Sequence, residues 1–273
     1  MSAVVFGTPV LWPQLSVGTG ITETGTRWHL DAAEAETLAK EAYSLIGDEY
    51  YDAFHITSRN FDETISAFLA DHPLDVRAGC RYLEVGCGRS RLNRIRRAGS
   101  QLVLLDLCAL MLQHSIAQGI DSSSAPLLGS AFALPFRGST FRTAFSFLGD
   151  PFFHPAYLVE LRRVLMPGGS IFHIVPSYDW GATLRASRGT PVHLSHFFRG
   201  SREAFGPSFL LPKSEISRLL KSAGFGHIRV SDAFVPESVP LEGISPDITI
   251  PADLRGVEAH ELPILNVIEA IAE

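Results

Sequence analysis

Cysteine is scarce in this sequence, with three in 273 residues, at positions 80, 87 and 108. Their spacing matches neither a disulfide framework nor a zinc-ligand set. They read as reduced thiols in a cytoplasmic protein. No apolar run reaches the ~18 residues of a membrane helix, so no membrane role is expected. The opening MSAVVFGTPVLWPQ lacks a basic lead and is interrupted by Pro9 and Pro13, so it does not read as a signal peptide. A basic surplus is missing too. The 23 Lys and Arg face 29 Asp and Glu, for a net charge of −6. No general affinity for nucleic acid follows from that balance. Internal repeats are absent. So is a phosphate loop: the glycine turn at 84–91, EVGCGRSR, has no Gly-Lys-Ser/Thr ending.

What is present suits a packed core, since apolar residues make up 46% of the chain. The length allows one large α/β domain with an appendage. We expect an N-terminal extension and helical lid over 1–75 and the main domain over 76–273. In DAAEAETLAKEAYSLI, Asp31 can cap a helix with Glu34 three residues on. NFDETISAFLADH reads as a second helix. From residue 81 strands and helices alternate. RYLEV, QLVLLDLC, APLLGSAF, FRTAFSFLGD and SIFHIVPS read as strands, with helices expected over 91–98, ALMLQHSIAQG and HPAYLVELRRVLMPGG. That order implies a mostly parallel sheet of about seven strands with helices on both faces, a Rossmann-like α/β fold. After residue 176 the alternation stops, and 177–211 is expected to be an irregular substrate-side insertion. SEISRLLKSAGF resumes as a helix and HIRVSDAFV as a strand. ELPILNVIEAIAE is expected to complete the sheet.

The glycine turn poses the functional question. Tyr82, Leu83 and Val85 read as a buried strand that Gly86 and Gly88 break. A strand, a tight turn and a helix start let backbone approach a ligand. In a dinucleotide fold a third Gly would stand at Arg91, and a pyrophosphate would meet Glu84. A carboxylate there repels an anion and favours a cationic ligand. Asp106 ends the next strand, roughly 20 residues past the turn, where an acid can accept from ribose hydroxyls. A nucleoside ligand without phosphate suits both acids.

LEVGCG, LLDLC, GSAFALPFRGSTFRTAFS and ELRRVLMPGG, in that order, resemble the class I S-adenosylmethionine-dependent methyltransferases. The resemblance covers about residues 80–176, and 214–235 more loosely. It implies S-adenosylmethionine as cofactor. Glu84, Gly86, Cys87 and Gly88 would line its methionine part, Asp106 would hold the ribose, and Leu107 would pack on the adenine. Ser130, Ala131 and Phe132 would border the adenine edge. Phe147 to Asp150 would face the methionine part and the acceptor. Two positions depart from the pattern. Ser90 replaces a Gly that often completes the turn, adding a small side chain. Ser130 stands where an Asp often meets the adenine amine, and a neutral acceptor there should weaken cofactor binding. A sulfonium needs little activation, so the protein's task is to align a nucleophile with the methyl group.

Several residues are candidates for that task, each with a structural alternative. Asp150 and Phe153, in GDPFFHP, partly match an Asn/Asp-Pro-Pro-Tyr/Phe motif of amino-group methyltransferases; the segment also suits a helix start. His154 is placed as a general base or as an exposed helix-start residue. Tyr51 and His55 lie between the N-terminal helices, where they could touch cofactor or acceptor, or pack on the sheet. Tyr178 and Trp180, with Asp179 and Arg185, follow a strand on the ligand edge and read as acceptor-pocket walls. Arg89, Arg91, Arg94, Arg96 and Arg97 read as a solvated helix face rather than a nucleic-acid patch. His193 and His196 lack a third ligand, so no metal is expected. The expected activity is methyl transfer to a small aromatic or heterocyclic molecule. The alternatives are a non-catalytic binder of S-adenosylmethionine or S-adenosylhomocysteine, and a nicotinamide oxidoreductase that Arg91 and Glu84 disfavour.

Overall fold

The structure, a computed structural model, describes residues 21–22, 25–26, 31–52, 55–96, 98–149 and 153–273. Two very short strands, β1 (Ile21–Thr22) and β2 (Gly25–Thr26), pair antiparallel. Helix α1 (Ala32–Ile46) starts at the expected capping box. Glu34 N–H donates to Asp31 Oδ1 at 2.8 Å, and Asp31 N–H donates to Glu34 Oε2 at 3.1 Å. Helix α2 (Ile56–Asp71) follows.

The alternating part then runs β3 (Arg81–Val85), α3 (Leu92–Ile95), β4 (Gln101–Asp106), α4 (Ala109–Ala117), β5 (Ser124–Leu128), β6 (Phe141–Phe147), α5 (Pro155–Val164) and β7 (Leu165–Pro176). After it come α6 (Tyr178–Arg188), the hairpin β8 (Leu194–Arg199) and β9 (Arg202–Pro207), α7 (Lys213–Ser222) and β10 (Phe225–Ala233). A 3₁₀ turn (Leu241–Gly243), α8 (Pro246–Arg255) and β11 (Leu265–Ala272) close the chain.

Seven strands form the main sheet in the order β10-β11-β7-β6-β3-β4-β5. β3 to β7 run parallel, and β11 enters antiparallel between β7 and β10. The chain steps outward from β3 in one direction through β4 and β5, and in the other through β6 and β7. The ends of β3, β4 and β6 therefore flank the switch point where open α/β sheets bind ligands. Two buried clusters cover the faces. Residues of α2, α4, α6 and α8 pack in one, and residues of α5 and α7 in the other. β3 is buried at four of its five residues, Glu84 included, because it is covered on both sides.

Two expectations are corrected, and one helix is new. Residues 177–211 are not irregular. Ser177 caps α6 by accepting from Trp180 N–H at 3.1 Å, and the hairpin packs along α1, where a Cβ on Gly206 would stand 3.3 Å from Ala42. The apolar period is hidden because α6 also buries a glycine and an arginine, Gly181 and Arg185, beside Trp180 and Leu184. The helix expected over 91–98 shrinks to Leu92–Ile95. Arg96 leaves it in an extended conformation and ion-pairs with Asp121. Helix α8, not anticipated, starts at Ser245-Pro246 and carries Pro251 inside. Among the described residues, no helix is long and apolar enough to cross a membrane.

Candidate functional site

A cavity of about 310 Å³ opens at the carboxyl ends of β3, β4 and β6, within the size range of small-ligand sites. Backbone shapes one side of it. Gly86 has a φ of +61°, and the loops after β3 and β6 touch there main chain to main chain. A Cβ on Gly86 would overlap the Gly149 carbonyl, and one on Gly149 would overlap the Gly86 carbonyl. Leu148, just before Gly149, holds a left-handed φ of +62° while its N–H donates to Ile174 O at 2.9 Å. Strain of this kind in a non-glycine residue concentrates at functional loops.

Two carboxylates brace this side. Glu84 is 1% exposed. It accepts from the Ser90 hydroxyl and, at 3.2 Å, from Arg91 N–H. Burial pushes its carboxyl up to about 7, although the Ser90 hydroxyl and the Arg91 and Leu92 amides ease that rise. Ser90 is therefore more than a tolerated small side chain. Its hydroxyl also accepts from Asn93 N–H at 2.9 Å, tying the turn to α3. Asp106 closes β4, 7% exposed, its acidity weakened by burial. Its Oδ2 accepts from Gly88 N–H and its Oδ1 from Cys108 N–H, each at 2.9 Å. Through Cys108, the residue preceding α4, Asp106 also ties the strand end to the next helix. Both oxygens keep a further lone pair for a ligand hydroxyl.

Side chains from the N-terminal helices shape the other side. The Tyr51 hydroxyl accepts from Arg89 N–H at 2.8 Å and lies where a Cβ on Gly88 would be. Its ring carries the Arg89 guanidinium 4.5 Å from the centroid and meets Tyr50 edge-on at 5.0 Å. Tyr50 in turn meets Tyr43 edge-on at 5.8 Å. Glu36, Ala39 and Tyr43 lie along one side of α1 and line the cavity. The Ser130 hydroxyl donates to the Glu36 carboxylate and accepts from Phe132 N–H at 3.0 Å.

Glu84, Gly86, Cys87, Asp106, Leu107, Ala131, Phe132, Phe147 and Tyr51 all line this one cavity. Gly88 and Ser130 border it through Tyr51 and Glu36. Cys87 is buried, which raises its thiol well above the usual range. Asp150 lies outside the described residues. The remaining candidates sit elsewhere. Phe153 is buried among Tyr157, Leu158 and Leu211 in a sheet-face core. Trp180 packs edge-on against Phe61 at 5.0 Å and donates to Asp247 O at 2.7 Å, behind the cavity wall. Tyr178 opens α6, and His55 is the exposed residue preceding α2. His154 caps α5 by accepting from Ala156 N–H at 3.1 Å, its imidazole against Phe132 and Phe209 and its basicity lowered by burial. The arginines are not one solvated face. Arg91 and Arg96 have side chains only 13% and 6% exposed, paired with Asp62 and Asp121. Arg97 lies outside the described residues. His193 and His196 stand at and on the hairpin, with His196 bonded to Glu203 at 2.9 Å. Among the described residues, no group of three or more His, Cys, Asp or Glu is arranged to hold a metal.

The stretch Phe147 to Asp150 was expected at the site, but the contact of Gly149 with Gly86, the place of Glu36 and the bracing role of Ser90 were missed. The Gly149 contact had a partial signal, a glycine just past a buried strand. Glu36 had none, because nothing local links residue 36 to residue 130.

Comparison with known proteins agrees with this geometry. Residues 83–173 match a family described as "Methyltransferase domain". The chain is 28% identical over 176 residues to 24-methylenesterol C-methyltransferase 2 of Oryza sativa subsp. japonica, covering 61% of this chain and 47% of that protein. It is 38% identical over 94 residues to malonyl-[acyl-carrier protein] O-methyltransferase of Erwinia pyrifoliae, covering 33% and 35%. The chain thus spans half or less of the curated relatives it matches. A solved S-adenosylmethionine-dependent methyltransferase of Thermotoga maritima shares the fold, with a TM-score of 0.59 at 18% identity over 85% of this chain and 99% of that one. With the glycine turn, the strand-end acid and the sheet order in place, residues 83–173 match a methyltransferase domain, and the chain shares the fold of solved S-adenosylmethionine-dependent methyltransferases.

Proposed function

We propose that this protein transfers a methyl group from S-adenosylmethionine to a small aromatic or heterocyclic acceptor. One observation carries the reading: the glycine turn and Asp106 share a single cavity with the aromatic side chains of the N-terminal helices. Asp106 holds the ribose hydroxyls. The turn at Gly86–Gly88 takes the methionine part, braced from behind by Glu84 through Ser90 and the Arg91 amide. Phe61, Phe147 and Leu148 line the cavity near the β3 and β6 ends. They offer flat apolar surface for the acceptor and exclude water from the reacting atoms. When bound, the cofactor supplies an electrophilic methyl on a sulfonium. The chain's part is to orient a nucleophile in line with it, and alignment of this kind is worth roughly 7–11 kcal/mol of barrier.

Calorimetric titration with S-adenosylmethionine, S-adenosylhomocysteine, NAD and ATP tests the cofactor half. Binding of the first two and neither of the others is expected, and tight NAD binding alone would overturn it. Transfer of labelled methyl to a panel of phenols, aromatic amines and heterocycles tests the acceptor half. Labelling of aliphatic acceptors only would replace that half of the reading.

A further inference from the structure

We infer that Glu36, on the N-terminal helix α1, receives the exocyclic amine of the cofactor's purine and replaces the acid missing at Ser130. The inference rests on the cofactor reading above.

The sheet edge gives the ligand a direction. The glycine turn follows β3, Asp106 ends β4 and the loop Gly129–Phe132 follows β5, three adjacent strands in that order. Neighbouring strands lie about 4.8 Å apart, so these stations span about 10 Å along the edge. A ligand with its sulfur end at the turn and its ribose at Asp106 reaches the β5 end with its base. That end is apolar. Leu105, Leu107, Gly129, Ala131 and Phe132 line it from the sheet, and Ala39 from α1. Such a slot suits the two faces of a flat heterocycle, yet an adenine edge also carries an amine that needs an acceptor.

Ser130 is poorly placed to be that acceptor. Its hydroxyl oxygen already takes Phe132 N–H, and its proton is given to Glu36. The hydrogen bond leads instead to a carboxylate, which accepts only and has room for more than one donor. Glu36 lines the cavity itself. Its position is fixed by the helix: Glu36, Ala39 and Tyr43 follow one another at helical spacing, and the Asp31–Glu34 capping box anchors the turn before them. The hairpin β8–β9 packs along the same helix, which also meets α4. The β5 loop, which lacks an acid, is thereby served by one about 94 residues earlier in the chain. The amine would be recognised by a charge-assisted bond, the stronger kind.

The test uses S-adenosylhomocysteine and its 6-oxo analogue, S-inosylhomocysteine, in which the amine is replaced by an acceptor oxygen. Titration of the intact protein should show a preference of about tenfold or more for the amine form. In Glu36→Ala, affinity for S-adenosylhomocysteine should fall about tenfold to a hundredfold and the preference should collapse. Glu36→Gln should lie between, since an amide oxygen still accepts. Thr37→Ala, on the exposed neighbouring position of α1, controls for loosening of the helix and should leave both affinities unchanged. Melting curves establish that each variant is folded. A folded Glu36→Ala that keeps wild-type affinity and preference overturns this inference while leaving the cofactor reading intact. A wild-type protein that binds neither compound overturns both.

Discussion

The two sides of the cavity are built by different means. The sheet side is made of main chain: Gly86 against Gly149, and Gly88 and Cys108 amides on Asp106. The helical side is made of side chains from a separate stretch: Glu36, Tyr43, Tyr50 and Tyr51. Main-chain contacts have no rotamers to give, so the first side is stiff and intolerant of substitution. Side chains can be exchanged singly, so the second side is where affinity is adjusted in small steps. Tyr51 joins the two, a helical-side hydroxyl holding a turn amide.

The sharpest way to break that contrast is at Gly149. Gly149→Ala should abolish measurable S-adenosylhomocysteine binding, and overpacking of about 1–3 kcal/mol should lower Tm by several degrees. Near-normal binding would show that the sheet side yields after all. Asp106→Ala comes next, with cofactor affinity reduced roughly tenfold to more than a hundredfold and Asn less harmful. A lower melting point with intact affinity would confine Asp106 to its Gly88 and Cys108 bonds. Across the cavity the effects should shrink. Tyr51→Phe removes one hydroxyl bond and should weaken binding about two- to tenfold, without a large change in Tm. A loss as large as that of Asp106→Ala would erase the distinction between the two sides.

A pH experiment examines the stiff side in another way. The folded Glu84 carboxyl sits at about 7, above the unfolded value near 4.5. Below 4.5 the group is protonated in both states. Between these two values the unfolded chain releases the proton while the folded one retains it, so Glu84's contribution should make stability fall as pH rises. Glu84→Gln should flatten that part of the Tm-against-pH curve, and an unchanged curve would mean that Glu84 is less buried than the geometry shows. The smallest effect is expected at His154. Removing a helix cap costs about 1 kcal/mol, and His154→Ala should lower Tm by about 2–4 °C while leaving the pH profile of turnover unchanged. A turnover loss of about 10²-fold or more would restore the general-base role.

The sheet side could be read from the sequence because its determinants are local. The end of a strand, an acid and two glycines stand within five residues, from Glu84 to Gly88, and Asp106 ends the next strand. The mostly parallel sheet of about seven strands followed from the alternation, and the C-terminal segment was expected as its last strand, but the strand order and the antiparallel insertion of β11 between β7 and β10 carry no local signal. The helical side was legible only as helices near a pocket. Tyr51 is identifiable by its position between them, but the Glu36–Ser130 bond joins residues whose local patterns say nothing of each other. The aromatics misled for a physical reason. Phe153 and Trp180 look like acceptor-pocket walls, yet large rings fill a core equally well, and both are buried there. In 177–211, Ser177 and Gly189 mark the ends of α6, but the helix lacks a clean apolar stripe to declare what lies between them.

The meeting of Gly86 and Gly149 also works as a ruler. Two bare peptide planes in contact set the separation of the β3 and β6 loops, and no side chain can widen or narrow that gap. The room available at the reacting end is therefore a constant of the core. If the acceptor is to be larger, smaller or differently charged, the change has to be written into the helical side, around Tyr51, Phe61 and the residues beside them. Engineering a new acceptor into this protein is then a problem of resculpting α1, α2 and their connection, with the sheet left as found.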